Sequence, residues 1–210
     1  MNGKTVMACI EAAHATLKQN TDEIASLDQQ IGDGDHIFNL LRGMEALLAA
    51  RSEIEAAAFG PSLDVAAAKI LSTVGGSSGP LFFSLLSGMS KGAATHALDV
   101  PGFSAIFAAG VDAVGQRGKT GVGSKTMMDV LIPVANRYRE LAAAGASAQA
   151  LLDELPRVAH IQMLATRDML ATKGRASFLG ERSRGHIDPG ARSSELMIAA
   201  VCAYLAQRIE

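Results

Sequence analysis

Aromatic residues and cysteines are scarce in this chain of 210 residues. It has no tryptophan, two tyrosines and seven phenylalanines, so it offers few side chains on which nucleic-acid bases could stack. The formal net charge is only −2, which provides no basic surface for a polyanion. Together these absences argue against a nucleic-acid-binding protein.

The two cysteines, Cys9 and Cys202, lie near opposite ends of the chain in apolar helical patterns. We expect both to be reduced core thiols, because cysteine commonly packs as a small hydrophobic residue. No run of about 18 apolar residues is present, so no transmembrane helix is expected. The first residues mix charged and apolar side chains at helical spacing, which is unlike a secretory signal. We therefore expect a cytoplasmic protein that makes no membrane contact.

Alternating runs of β-branched residues are also absent, whereas Ala, Leu, Met and Glu dominate. This pattern predicts an all-α fold, an antiparallel up-and-down bundle of eight helices in which residues 1–210 form a single domain. Pro61, Pro80 and Pro101 fall at predicted helix starts, where a missing N–H costs little. The predicted helices cover residues 4–19, 36–57, 62–73, 80–96, 102–117, 125–142, 147–172 and 192–208.

The connections between these helices are of two kinds. Three are short and bland, and four are rich in glycine and polar side chains. Alternate connections of an up-and-down bundle lie at the same end. The polar loops are the first, third, fifth and seventh, so we expect all four at one end and the functional site there. The polar loops lie near residues 28–35, 74–79, 118–124 and 173–191, and the bland ones near 58–61, 97–101 and 143–146.

The first polar loop carries three carboxylates, those of Asp28, Asp33 and Asp35, with glycines beside the last two. Like charges that converge repel one another unless a cation lies between them, and hard oxygen ligands suit magnesium. In the alternative interpretation, Asp33 and Asp35 are solvated turn residues that cap the next helix. Composition alone leaves both interpretations open.

Two further features stand beside this cluster. His36 and Asn39 lie one helical turn apart and can share a face, so His36 is either a phosphate contact or a structural capping residue. The loop 74–80, VGGSSGP, offers unhindered backbone N–H groups at a helix start, where an anion can bind. A plain flexible turn would have the same composition.

The third polar loop contains two sequences that suggest a P-loop, and neither fits. Lys119 and Lys125 are each followed by threonine. Ala113 occupies the position of the upstream glycine for the first, and Ser124 interrupts the second. A P-loop also follows a strand, which this sequence does not predict.

The fourth polar loop is long, which in a compact domain indicates function or disorder. Phe178 and Leu179 within it argue against disorder. Its arginines, among them Arg175, suit phosphate through planar bidentate pairing, although any single one could be a solvated surface charge.

Four motifs, in this order along the chain, resemble those of the nucleotide-binding L subunit of dihydroxyacetone kinases. They are IGDGDH, VGGSSGPLF, KTMMDVLIPV and KGRASFLGERSRGHIDPGA, and they span roughly residues 27–195. The resemblance implies an eight-helix antiparallel barrel that binds ADP or ATP at one end through two Mg²⁺ ions. It implies metal ligation by Asp28, Asp33 and Asp35, a catalytic role for Arg175, and nucleotide contacts from His36, Ile37, Phe38, Asn39, Ser77, Ser78, Gly118, Met127, Arg175, Asp188, Pro189 and Gly190.

The sequence departs from the family pattern in two places. Ser124 stands where members usually carry an aspartate, and Ile37 and Phe38 follow the histidine where a small residue is usual. Neither departure touches the three aspartates, so the implied metal site is complete.

The resemblance also implies partners. In this family a separate K subunit holds the ketose covalently through a histidine that this chain lacks, and a phosphohistidine phosphocarrier subunit can rephosphorylate the bound ADP. Three points stay open: which ketose is the acceptor, whether ATP or the phosphocarrier is the donor, and whether the chain forms a homodimer. Two other functions also stay open: a nucleotide-sensing regulatory module without transferase activity, and a metal-dependent phosphohydrolase.

Overall fold

The computed structural model describes residues 1–76 and 78–208, which contain ten α-helices and two 3₁₀ helices. This described part has no strand, so the predicted all-α fold is confirmed. The α-helices are α1 (Gly3–Gln19), α2 (Thr21–Ile31), α3 (His36–Ala49), α4 (Arg51–Ala56), α5 (Phe59–Thr73), α6 (Ser78–Ala93), α7 (Val100–Gly118), α8 (Met128–Ala143), α9 (Ala148–Ala165) and α10 (Pro189–Ala206). The 3₁₀ helices are Thr166–Asp168 and Arg175–Ser183.

Helix α2 was not predicted, and its sequence explains why. Its buried positions are Ile24, Ala25, Asp28 and Ile31, which follow a helical repeat. A carboxylate occupies one of these inward positions, so the apolar stripe that would indicate the helix is interrupted. Asp28 therefore lies on a helix, where the sequence placed it in a loop.

Other predicted boundaries were also wrong. The helix predicted over 36–57 divides at Ala50 into α3 and α4. The helix predicted from residue 125 begins at Met128, because Lys125 has a φ of 58°, which is incompatible with a right-handed helix. Helix α9 ends at Ala165 instead of residue 172, and α10 begins at Pro189 instead of residue 192.

The helices pack into a closed ring. A single residue separates α1 from α2 and α3 from α4, and both α1 and α2 pack against α10. The ring closes because the last helix packs against the first. Its contacts run from α1 to α4, α4 to α5, α5 to α6, α6 to α7, α7 to α8, α8 to α9, α9 to α10 and α10 back to α1.

One end of the ring is formed by the short connections. There the N–H of Gly3 donates to the carbonyl of Ala57 at 3.1 Å, and the Ser90 hydroxyl donates to the carbonyl of Gly60 at 3.0 Å. These contacts leave the polar loops at the opposite end. Among the described residues, none of the helices combines the length and the hydrophobicity needed to traverse a bilayer.

Candidate functional site

The four polar loops meet at one end of the ring, as the alternation of loops predicted. His36 Nε2 lies 2.9 Å from the Ser193 hydroxyl, which joins the first loop to the start of α10. Its Nδ1 lies 3.4 Å from the Ser78 hydroxyl at the start of α6. The N–H of Thr172 donates to the carbonyl of Ser124 at 3.2 Å, which joins the third loop to the fourth.

The three aspartates of the first loop converge. One carboxylate oxygen each from Asp28, Asp33 and Asp35 lies within 4.8 Å of the others. Asp28 is buried, and its Oδ2 accepts the N–H of His36 at 3.0 Å, whereas Asp33 and Asp35 are exposed. Three oxygens at this spacing, two of them open to solvent, are a suitable ligand set for a hard divalent cation.

Asp35 bears on the capping interpretation. It occupies the N-cap position of α3, but its side chain accepts no hydrogen bond from that helix. The carboxylate that does accept an N–H at this helix start is Asp28, eight residues earlier. The geometry therefore favours a cluster aimed at a shared ligand over a simple helix cap at Asp35.

Gly32 allows Asp28 its position. A Cβ atom on Gly32 would lie 2.1 Å from Asp28 Oδ1, a separation that no real side chain could keep. The N–H of Gly32 donates to the Asp28 carbonyl at 2.6 Å, so the chain turns tightly over the carboxylate. The first glycine of IGDGDH is thus required by the close approach of the backbone to the Asp28 side chain.

Arg175 reaches the cluster from the fourth loop. Its Nη2 lies 2.8 Å from Asp33 Oδ2, and both side chains are accessible to solvent. An exposed ion pair of this kind contributes little to stability. It does place a guanidinium where the oxygens of a bound phosphate could be reached.

His36 and Asn39 line the floor beside the aspartates. Burial lowers the pKa of His36 below its ordinary value, while the carboxylates of Asp28 and Asp35 oppose that shift. Asn39 is buried, and its amide lies under the second polar loop, close to Gly75 and Gly76. Gly76 has a φ of 65°, which lets this loop turn over the amide. Ser77, predicted as a nucleotide contact, lies outside the described residues.

Four other residues predicted to contact the nucleotide lie at the end of α7, just before α8 and on the first turn of α3. Gly118 is the last residue of α7, and Met127 is buried immediately before α8. The side chain of Ile37 is fully buried in the core, so only its backbone can contribute to a site. Phe38 is instead exposed on the first turn of α3.

Asp188, Pro189 and Gly190 form the start of α10. Asp188 Oδ2 accepts the N–H of Ala191 at 2.7 Å and caps the helix. The pKa of Asp188 is raised to about 7, mainly by burial and in smaller part by the nearby carboxylates of Asp129 and Asp28. The Ala191 N–H and the Lys125 ammonium oppose this shift.

Lys125 has a structural role that sequence reasoning missed. Its side chain is 1% exposed, and its ammonium donates to the carbonyls of Thr166 at 2.7 Å, Arg167 at 3.3 Å and His186 at 2.5 Å. Burial lowers its pKa, which the carboxylates of Asp188, Asp168 and Asp129 oppose. One ammonium thereby connects the third polar loop to both ends of the segment between α9 and α10.

Asp129 was missed as well. It is fully buried on the first turn of α8, and its two oxygens accept the N–H groups of Gly123 at 2.5 Å and Thr126 at 2.7 Å. The carboxylate thus fixes the loop that carries Lys125. The threonine three residues before an acidic residue was an available signal for this helix start.

Four helices, α3, α6, α8 and α10, begin at this end of the ring. Helix N-termini carry partial positive charge, which favours anions. At two of these starts a carboxylate already accepts an N–H group: Asp28 accepts that of His36 at α3, and Asp188 accepts that of Ala191 at α10. The site thus combines carboxylates suited to cations with helix starts suited to phosphates.

Known proteins match this chain in sequence over most of its length. The sequence profile of the DAK2 domain matches residues 30–203. The chain is 40% identical to the ADP-binding subunit DhaL of PEP-dependent dihydroxyacetone kinase 1 from Listeria innocua, over 88% of each chain. It is 36% identical to the corresponding DhaL subunit from Escherichia coli, over 85% of each chain.

A solved structure shares the fold. The dihydroxyacetone kinase of C. freundii, crystallised in complex with AMP-PNP and Mg²⁺, matches with a TM-score of 0.71 and 20% identity. The match covers 97% of this chain but 33% of that one, so this chain spans about a third of the length of that kinase.

Proposed function

The chain belongs to the DAK2 domain family, and from that premise we propose that it is the ADP-binding subunit of a PEP-dependent dihydroxyacetone-type kinase. The convergence of Asp28, Asp33 and Asp35 within 4.8 Å, surrounded by four helix N-termini, is the observation that carries this proposal. The named relatives that it matches over most of their length are ADP-binding subunits of such kinases.

The residues present fit a magnesium–nucleotide complex. The three carboxylates would hold Mg²⁺, and we propose two ions, because ADP or ATP presents several phosphate oxygens to a cluster of at least three acidic oxygens. Magnesium, when bound, would neutralise the charge on the phosphate oxygens. The starts of α6 and α10 would contribute N–H groups to the same phosphates.

The chain's own contribution to transfer is positioning and electrostatics. A transferring phosphoryl group spreads charge over its oxygens and needs little covalent help. Arg175, beside Asp33, would stabilise that charge, and His36 would orient the phosphates while remaining neutral, in line with its lowered pKa. We propose no general base within this chain.

The acceptor is proposed to lie on a separate protein. A K subunit would hold the ketose covalently, and a phosphohistidine phosphocarrier would restore ATP from the ADP that stays bound. Dihydroxyacetone is the proposed acceptor, as named for the relatives. The nucleotide-sensing alternative would keep the same binding residues and differs in having no transfer step.

Two measurements test the proposal. Calorimetry should show tight ADP binding with Mg²⁺ and a large loss of affinity in EDTA; equal affinity in both conditions would reject the metal-bridged site. Single-turnover transfer to dihydroxyacetone should require the K subunit. Rapid transfer by the chain alone would contradict the two-protein scheme. Rapid ATP hydrolysis without sugar would favour a phosphohydrolase. Nucleotide binding without transfer even when the K subunit is present would favour the sensor.

A further inference from the structure

One guanidinium, that of Arg192, joins two of the helices that build the site. Arg192 lies three residues after the start of α10, and its side chain is 16% exposed. Its Nε and Nη2 donate to the two carboxylate oxygens of Glu23 in α2, each at 2.9 Å. Two parallel bonds of this kind form a bidentate pair, whose planar geometry fixes orientation as well as distance.

The remaining nitrogen of this guanidinium is also held. Nη1 of Arg192 donates to Glu195, three residues further along α10, at 2.5 Å. Glu195 is buried, and its other oxygen lies 3.3 Å from Nδ1 of His160 on α9. These contacts leave the guanidinium little freedom to rotate, so its two other nitrogens stay directed at α2.

Helix α2 depends on such contacts for its position. It has 11 residues, and Asn20 at its N-cap makes no side-chain hydrogen bond to it. A helix this short is marginal in water by itself, so tertiary contacts decide where it lies. Ile24 is buried in the core, but apolar packing is not directional. The directional contacts to α2 come from Arg192 at its first turn and from His186, whose Nδ1 lies 2.8 Å from the Gln30 amide oxygen at its last turn.

Asp28 lies on α2 between these two contacts. It follows Glu23 by five residues and precedes Gln30 by two. Five residues of α-helix correspond to about 7.5 Å along the axis. A shift or rotation of the first turn of α2 would therefore be transmitted over a short distance to the buried carboxylate of Asp28.

The start of α10 forms the opposite wall of the same site. Asp188 caps this helix, and the hydroxyl of Ser193 lies 2.9 Å from Nε2 of His36. Arg192 is the neighbour of Ser193 in the chain. The pair between Arg192 and Glu23 thus connects the helix whose N-terminus faces the phosphates to the helix that carries Asp28.

We propose that Arg192, paired with Glu23, is a positioning residue for magnesium. It holds α2 at the distance from α10 at which the carboxylate of Asp28 meets those of the other two aspartates. This inference rests on the proposed function, and it assigns to Arg192 an effect on the metal that is exerted through α2. The two partners are 169 residues apart in the chain, so no local sequence pattern indicates their pairing.

The test measures the magnesium concentration that half-saturates ADP binding in Arg192→Gln, Glu23→Gln and the double variant. Each single change should raise this concentration about tenfold, the lower end of the range for residues that orient metal ligands. The double variant should raise it no further, because both changes remove the same interaction. Glu23 is 47% exposed, and Glu23→Gln leaves Arg192 paired with Glu195, so this variant tests the pair with little risk to the fold.

Arg137→Gln is the matched control. Like Arg192, Arg137 contacts a glutamate three residues further along its own helix, Glu140, and a glutamate on a neighbouring helix, Glu154. It lies nine residues, or about 14 Å, along α8 from the end of that helix at the site. Its loss removes a comparable contact between two helices and should leave the magnesium requirement unchanged. Melting temperatures of all variants are compared without metal, so that a general loss of stability is recognised.

Three results would overturn the inference. The first is an unchanged magnesium requirement in Arg192→Gln and Glu23→Gln. The second is an equal rise in Arg137→Gln, which would indicate a general loss of stability. The third is additive effects in the double variant, which would mean that the two residues act separately. In all three cases the wild type still binds ADP with magnesium, and the proposed function stands. A wild type without magnesium-dependent ADP binding would reject the proposed function and this inference with it.

Discussion

The ammonium of Lys125 lies 2.7 Å from the carbonyl oxygen of Thr166, 41 residues further along the chain. The same ammonium reaches the carbonyl of His186, so one side chain closes the long segment between α9 and α10 at both ends. That segment carries Arg175 and Phe178. The buried Lys125 therefore helps to hold the segment in the position that brings Arg175 close to the aspartates.

Lys125→Met should disorder this segment. The change removes a donor from three carbonyls; those of Thr166 and Arg167 still accept the N–H groups of Met169 and Gly185, whereas that of His186 loses its donor. An unsatisfied buried group costs about 1–3 kcal/mol. We expect faster hydrogen exchange over residues 166–188, weaker binding of magnesium–ADP and a lower urea midpoint. Lys119→Met, in the same loop and exposed, is the matched control and should change none of these. Unaltered exchange in Lys125→Met would contradict the structural role of the ammonium.

Gly32→Ala should damage the metal site with little effect on the fold. The added methyl group would lie 2.1 Å from Asp28 Oδ1 and must displace that carboxylate. We expect a loss of magnesium-dependent ADP affinity on the order of tenfold or more, the change that about 1.4 kcal/mol produces. Gly121→Ala is the control, because no atom lies within 4 Å of a Cβ at that position. Calorimetry on both variants decides, and equal affinities would show that Asp28 is not a ligand.

Asp35→Asn tests whether the cluster is functional or structural. Removing one of several close negative charges relieves a repulsion of about 1 kcal/mol per exposed pair. Without metal, the variant should melt no lower than the wild type, since Asp35 makes no capping hydrogen bond. With magnesium and ADP, the wild type should gain thermal stability that the variant lacks. A lower melting temperature of the metal-free variant would mean that Asp35 supports the fold.

Much of this site could be predicted from the sequence. The alternation of bland and polar loops placed His36, Ser78 and Arg175 at one end, because short connections force neighbouring helices to run antiparallel. The carboxylates of IGDGDH could be recognised by their charge and glycine spacing. Lys125 could not, because a lysine in a loop has no periodicity that distinguishes burial from exposure, and its carbonyl partners are 41 or more residues away. Helix α2 was missed for a related reason, since its inward carboxylate is part of the site.

Arg175→Gln should separate metal binding from transfer. The guanidinium pairs with Asp33, so it would compete with a cation for that carboxylate. Magnesium alone should therefore bind the variant at least as tightly as the wild type. Transfer should fall by two orders of magnitude or more, since an arginine that stabilises transferring phosphate contributes about 10³–10⁵. Arg182→Gln, exposed on the same loop, serves as the control. Full transfer by Arg175→Gln would remove Arg175 from the catalytic residues.

The pH dependence of stability should carry the signature of Asp188. Burial raises its pKa to about 7 in the folded protein, whereas in the unfolded chain the carboxyl titrates near its ordinary value of 3.8. Between these pH values the folded state binds the proton of Asp188 more tightly than the unfolded state does. The stabilisation of the folded protein by this protonated carboxyl is therefore fully present below about pH 4 and is lost as the pH rises through about 7. Asp188→Asn keeps an oxygen that can cap α10 but cannot titrate. In urea unfolding with EDTA, the wild type should lose roughly 1–4 kcal/mol more stability than the variant between pH 5 and pH 7.5. At pH 5, where the wild-type side chain is also neutral, the two proteins should be similar. An identical slope in both proteins would show that Asp188 is ionised throughout this range.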